Sequence, residues 1–340
     1  MKRYLKISLI SVGLFLSRNY LFAQVKKVGP IGITVKDMDR SVKFYCEVLG
    51  FIKISDNEYT GDNYDKLQNI FGLNIRVVKM KLGDEEIELT DYLTVGGRSI
   101  PEDAKSNDLI FQHIAIVVSD MDKAYRRLKK FNIRQVSTAP QTLPHSNLAA
   151  AGIRAFYFHD VDDHNLELIF FPKGKGLQKW QQKTNRLFLG IDHTAIGVSN
   201  TDKSLDFYRG ILGLSRKGES WNMGTEQAHL NFVEEASLRI TGLRADSGPG
   251  IEFLEYIKPG PGKSFPEGSR TDDIWHWQTI LLVDDVEALY NELKSAGYTI
   301  ISKELVHFSR KAGRQSKAFI VRDGDGHAML CVEEENSNKH

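Results

Sequence analysis

The 340-residue chain contains only two cysteines, Cys46 and Cys331, which are far apart and match no metal-ligand or redox spacing. No cysteine framework organises the fold, and both read as small buried apolar side chains. Charge of one sign is also lacking. The 45 Lys+Arg against 44 Asp+Glu leave no global field to attract nucleic acid or an anionic membrane, so neither is expected as a partner. Long hydrophobic runs are absent. The longest at the start, Ile7 to Leu16 in MKRYLKISLISVGLFLSRNYLFAQ, is too short to span a bilayer and is soon broken by Arg18 and Asn19. With a basic start and the small Ala23 before Gln24, residues 1–23 read as a secretory signal peptide. The expectation is an exported protein, periplasmic or extracellular, with a mature chain beginning near Gln24 and no membrane attachment.

What the sequence does have is repetition. Four segments share one pattern: an apolar strand, a polar turn carrying Asp or Asn, an amphipathic helix, then β-rich sequence. They open at VGPIGITVKDMDRSVKFY, FQHIAIVVSDMDKAYRRL, GIDHTAIGVSNTDKSLDFY and WQTILLVDDVEALYNEL. Asp or Asn before each helix can cap its free amides, and Val42, Tyr45 and Leu49, or Leu205, Tyr208 and Leu212, recur at helical spacing. These are βαβββ-like modules.

A longer period lies above the short one. SNDLIFQHIAIVV (Ser106 to Val118) runs in register with TDDIWHWQTILLV (Thr271 to Val283), EIELTDYL with GIEFLEYI, and DVDDHNLE with DGDGHAML. The chain therefore reads as a duplicated two-module unit, 25–172 and 189–334, joined by a basic, glycine-bearing linker at 173–188 and followed by a polar tail at 335–340. A chain of this length suits two domains, and four modules in one chain allow a monomer. The stretch GPGKSFPEGS (Gly260 to Ser269) matches no phosphate-binding loop and is read as a connection.

The four openings, the texts FYCEVLGF and FYRGILGL, and the DxDG-type turn before a final strand resemble the vicinal oxygen chelate superfamily, which includes glyoxalase I, extradiol dioxygenases and bleomycin resistance proteins. The resemblance covers nearly the whole mature chain. It implies an α+β fold in which four βαβββ modules form two cup-shaped mixed sheets, with a divalent metal ion at a cup floor. In that superfamily the ligands occupy an early position on the first strand of a module and a glutamate on its last. Those positions become Pro30, His113, His193 and Gln278 on the first strands, and Glu88, Glu167, Glu252 and Leu330 on the last. Strand alternation sets His113 apart from Ile114, Ile116 and Val118, and sets Glu167 and Glu252 apart from their apolar neighbours.

Two pairings of modules are open. Adjacent pairing leaves both cups incomplete, whereas joining the second and third modules collects His113, Glu167, His193 and Glu252 and leaves Pro30, Glu88, Gln278 and Leu330 for the terminal pair. The second arrangement is favoured because it gives one full donor set for one divalent ion, Zn, Ni, Co, Mn or Fe(II). Such a site would bind a small substrate with two neighbouring oxygens. Glu167 or Glu252 would remove a proton next to a carbonyl, as in a glyoxalase I-like lyase or isomerase. The alternatives are an extradiol-type Fe(II) ring-cleaving dioxygenase and a non-catalytic protein that sequesters a small molecule. Of the other histidines, His164 and His327 are expected at solvent in turns, His276 at a rim, and His145 and His159 near the substrate mouth.

Overall fold

Four capped helix starts set the frame. Asp37, Asp120, Asn200 and Asp285 each accept a hydrogen bond from the amide three residues on, at Arg40, Lys123, Lys203 and Ala288. Each cap stops a strand and starts a helix at the same point of its module. The computed structural model describes residues 24–309 and 315–333. The signal segment expected at 1–23 lies outside them.

The first module runs β1 (Val25–Val35), α1 (Met38–Glu47), β2 (Ile52–Thr60), α2 (Asp62–Gln68), β3 (Asn74–Leu82) and β4 (Glu85–Tyr92). The second has β5 (Gln112–Val118), α3 (Met121–Lys130), β6 (Gln141–Thr142), β7 (Arg154–His159) and β8 (Asn165–Phe170). The third contains β9 (Phe188–Val198), α4 (Thr201–Leu205) continuing as a π-helical turn over Asp206–Ile211, β10 (Ser215–Met223), α5 (Thr225–Asn231), β11 (Ser237–Arg244) and β12 (Gly250–Lys258). The fourth comprises β13 (Trp277–Val283), α6 (Val286–Ser295), β14 (Val306–Ser309), β15 (Gln315–Arg322) and β16 (Ala328–Glu333). The short helices α2 and α5 are additions to the expected pattern, and among the described residues no helix is long and apolar enough to cross a membrane.

These strands form two eight-stranded mixed sheets. The central sheet has the order β10-β11-β12-β9-β5-β8-β7-β6, and the terminal sheet the order β14-β15-β16-β13-β1-β4-β3-β2. The second and third modules therefore share one sheet, the first and fourth the other, and adjacent pairing is excluded. Antiparallel seams join the halves of the duplication, β5 to β9 in the central sheet and β1 to β13 in the terminal one.

One face of each sheet packs on the helices in a shared core. Ile114, Ile116, Leu166, Leu168, Ile251 and Phe253 of the central sheet belong to the same apolar cluster as Ile31, Ile33, Ile87 and Leu89 of the terminal one. Period-two alternation then turns His113, Glu167, His193 and Glu252 to the other, concave face. Between the halves, Trp180 in a 3-10 turn (Gln178–Gln181) is buried against Ala115, Val117, Ile169 and Leu189, which anchors the linker at 173–188 to the central sheet.

Three histidines depart from expectation. His164 and His327 are buried rather than at solvent, because each sits where its turn meets a different module. His164 Nε2 bonds to the carbonyl of Ile274 at 2.7 Å, and His327 Nε2 to that of Gly197 at 2.8 Å. His276 is likewise buried rather than at a rim, with Nε2 3.5 Å from Gln278 Oε1.

Candidate metal centre

The parallel pairing of each first strand with its module's last strand places a glutamate beside the seam. Ala115 on β5 pairs with Glu167 on β8, and Ala195 on β9 with Glu252 on β12. Across the seam Ala115 faces His193 and His113 faces Ala195, so small alanines alternate with imidazoles and leave room for the rings to converge. One ligand atom each from His113, Glu167 and His193 lies within 4.8 Å of the others. Glu252 completes the group, with Oε1 3.4 Å from His193 Nε2.

Glu167 Oε2 stands 3.1 Å from His113 Nε2 and 3.6 Å from His193 Nε2. Neither contact has hydrogen-bonding geometry, and both His113 nitrogens and His193 Nε2 are buried without a partner. Orphaned buried nitrogens facing carboxylates are costly unless something bridges them. The donor set of two imidazoles and two carboxylates fits a borderline or hard divalent cation.

Electrostatics agree. Burial alone would push His193 down, but Glu252, Asp192 and Glu167 outweigh it and raise its pKa to about 9. The field that draws a proton to this imidazole is the field a divalent cation would experience there. For His113 burial dominates and lowers its pKa, leaving the ring neutral as a ligand must be. Glu252 is raised, first by desolvation and then by the Glu167 and Asp192 charges, against the opposing pull of His193.

Asp192, next to His193, was not singled out from sequence. Its carboxylate accepts from His193 Nδ1 at 3.0 Å, from the Trp180 indole N–H at 2.7 Å and from Arg244 at 2.9 Å. Once a cation displaces the Nε2 proton, the first bond would keep the remaining His193 proton on Nδ1 and turn the lone pair of Nε2 into the cluster, the arrangement that carboxylates behind ligating histidines provide. Desolvation would raise Asp192, yet these partners hold it down at about 2. Only the fold brings Trp180 and Arg244 to it, so GIDH alone carries no signal of this role.

Beside the cluster a pocket of about 260 Å³ is walled by Glu252, His193, Arg244, Lys217 and four glycines, Gly176, Gly218, Gly242 and Gly250. A Cβ at Gly218 or Gly242 would meet nothing within 4 Å, so these positions open onto free space. Glu252 borders this pocket while Glu167 does not. A larger cleft, about 910 Å³, opens elsewhere among Arg134, His159 and Trp275, and none of the four clustered residues lines it. His159 belongs to that cleft, and His145 is exposed.

Of the other four register positions, Glu88, Gln278 and Leu330 line one cavity in the terminal cup, and Pro30 does not reach it. Gly32 pairs with both Gln278 and Glu88, as Ala195 pairs with His113 and Glu252, which puts Pro30 in the place of His193. Proline and leucine offer no donor, and no metal-ligating group of His, Cys, Asp and Glu forms there among the described residues.

The model of the Glyoxalase/Bleomycin resistance protein/Dioxygenase superfamily matches residues 27–168 and again 190–329. The chain belongs to this superfamily. Glyoxalase I of Saccharomyces cerevisiae is 22% identical over 330 residues, 88% of this chain and 90% of that protein. A 2-epi-5-epi-valiolone epimerase from Actinomyces sp is 29% identical over 167 residues, 46% of this chain and 85% of the epimerase. Among solved structures, glyoxalase I from Zea mays superposes with a TM-score of 0.59 at 16% identity, covering 92% of each chain. That likeness establishes the cupped α+β architecture.

Proposed function

We propose that the central cup is a divalent-metal site catalysing proton transfer next to a carbonyl of a small substrate with two neighbouring oxygens, a glyoxalase I-like lyase or isomerase reaction. The observation that carries this reading is the convergence of His113, Glu167, His193 and Glu252, with unpartnered imidazole nitrogens, beside a glycine-walled pocket. Relatives named a glyoxalase and an epimerase are compatible with it.

His113, Glu167, His193 and Glu252 would hold a divalent cation, and the chemistry it would supply is Lewis acidity toward the negative charge left when a C–H beside a carbonyl loses its proton. Of the two glutamates, Glu252 is assigned as the base because it borders the pocket. Glu167, bordered by both imidazoles, stays in place as a fixed negative group. Asp192 keeps His193 oriented, and the glycine walls leave room for the substrate carbon near Glu252.

Incubation of the metal-loaded protein with lactaldehyde or dihydroxyacetone in D2O tests the reaction. Deuterium should enter at the carbon next to the carbonyl faster than without enzyme. Glu252→Gln should lower that rate by about 10²–10⁴ with metal retained. A second reading, the extradiol-type dioxygenase, draws on the tightest trio, which is two histidines and one carboxylate. Oxygen uptake with a catechol and no deuterium exchange would select it, and saturable binding with neither would select sequestration. The same proposal includes export, for which amino-terminal sequencing of periplasmic or secreted material should give Gln24 as the first residue.

A further inference from the structure

The terminal cup has lost two donor positions but not its cavity. It keeps a half-open pocket of about 250 Å³, close to the 260 Å³ beside the central cluster. A redundant cup would be expected to fill with apolar side chains, as cores do. Instead Ser55, Lys79, Glu88 and Gln278 face this space.

Register explains what replaced the metal position. On β11 of the central sheet Gly242 stands opposite Glu252, whereas on β3 of the terminal sheet Lys79 stands opposite Glu88. The Lys79 ammonium lies 3.2 Å from Glu88 and 3.8 Å from Glu86. An internal cation thus satisfies the remaining carboxylate, and the floor holds its own counter-charge. An ionic ligand would have to break this pair, whereas a neutral one can hydrogen-bond to its exposed donors and acceptors. Gln278 adds an amide to the same floor.

The walls are aromatic and aliphatic. Tyr59 and Tyr64 lie with ring centroids 5.0 Å apart, and Phe308, outside the lining, backs Tyr64 at 5.2 Å. Ile75, the cross-strand partner of Tyr59, and Val77 add aliphatic surface to the same lining. An apolar cavity of about 150 Å³ holds benzene, so this space takes one ring with one or two small substituents. Offset or edge contacts with tyrosines favour a ligand ring that is itself aromatic.

We propose that the terminal cup is a second, metal-independent binding site for a neutral single-ring aromatic compound carrying a hydroxyl or carbonyl group. The ring lies against Tyr59 and Tyr64, and the polar substituent reaches Lys79, Glu88 and Gln278. This site is independent of the chemistry assigned to the central cup.

The test is calorimetric titration of the full metal-loaded chain with phenol. One saturable site is expected, weakened at least tenfold by Tyr64→Ala and by the cavity-filling Val77→Trp, and unchanged by His193→Ala. Cyclohexanol should bind at least tenfold more weakly. Circular dichroism and metal content verify that the terminal-cup variants remain folded. No saturable binding at millimolar probe overturns the proposal. So does binding lost in His193→Ala but kept in Val77→Trp, which would put the ligand in the central cup. Equal binding of cyclohexanol would overturn the aromatic class. None of these outcomes bears on deuterium exchange, so the two proposals fail separately.

Discussion

His113 and His193 lie diagonally across the β5–β9 seam with ring centroids 5.9 Å apart, although they come from opposite halves of the duplication. A cation between them would join the two halves as well as serve chemistry. The full-length protein should therefore carry one divalent ion per chain by elemental analysis. His113→Ala and His193→Ala should each lose it, while Gln278→Ala in the other cup should keep it. Equal metal loss in Gln278→Ala would place the ion in the terminal cup instead.

Asp192 supports the imidazole without reaching the cluster itself. Removing such a partner costs about 10- to 100-fold in metal affinity. Asp192→Asn is expected to show that loss in a chelator competition, with Trp180→Phe losing less because Arg244 and His193 still hold the carboxylate. Unchanged affinity in Asp192→Asn would mean that packing alone orients His193.

The two cups differ at one position that can be exchanged. Gly242→Val places a side chain in open space and should block turnover while metal content stays at wild-type level. Gly242→Lys should behave differently, since its ammonium can pair with Glu252 as Lys79 does with Glu88. Metal should then be displaced, and elemental analysis of the two variants distinguishes steric block from charge replacement. Turnover unaffected by Gly242→Val would show that substrate approaches from another side.

Much of this was readable in the sequence because it depends on local rules. Capping by Asp37, Asp120, Asn200 and Asp285 marks where strands yield to helices, and period-two alternation separates His113 and Glu167 from the apolar face. The convergence of four side chains followed from register together with the donor count of each pairing. What was not readable depends on distant neighbours. His164 has the local polarity of a solvent turn and is buried only because the segment before β13 covers it. Helices α2 and α5, of seven residues each, are too short for an apolar period to show. Gly218 and Gly242 look like weak points in strands until their free space is found beside Glu252.

The latch around His164 predicts how stability should depend on pH. Its Nδ1 donates to Asp160 at 2.9 Å and its Nε2 to the Ile274 carbonyl at 2.7 Å, so both nitrogens carry protons and the ring is an imidazolium. Asp160 also accepts from the Tyr45 hydroxyl at 3.1 Å, tying the second module to α1 of the first. Burial would lower the His164 pKa, but the charge and hydrogen bond of Asp160 outweigh it and raise it to about 8. A group raised in the folded state stabilises fully below its unfolded value, about 6.5, and loses that contribution as pH climbs through its folded value. Asp160 has the opposite sign: desolvation would raise it, His164 and the turn amides lower it, and its contribution fades only in acid as the carboxylate protonates. The difference in unfolding free energy between wild type and His164→Asn should therefore be largest near pH 6 and shrink between pH 6.5 and 8.5, by on the order of 2 kcal/mol. Metal-loaded protein should be used for both, so that His193 cancels in the comparison. A difference that stays constant across this range would mean that His164 is held as a neutral ring and that the latch is set by packing alone.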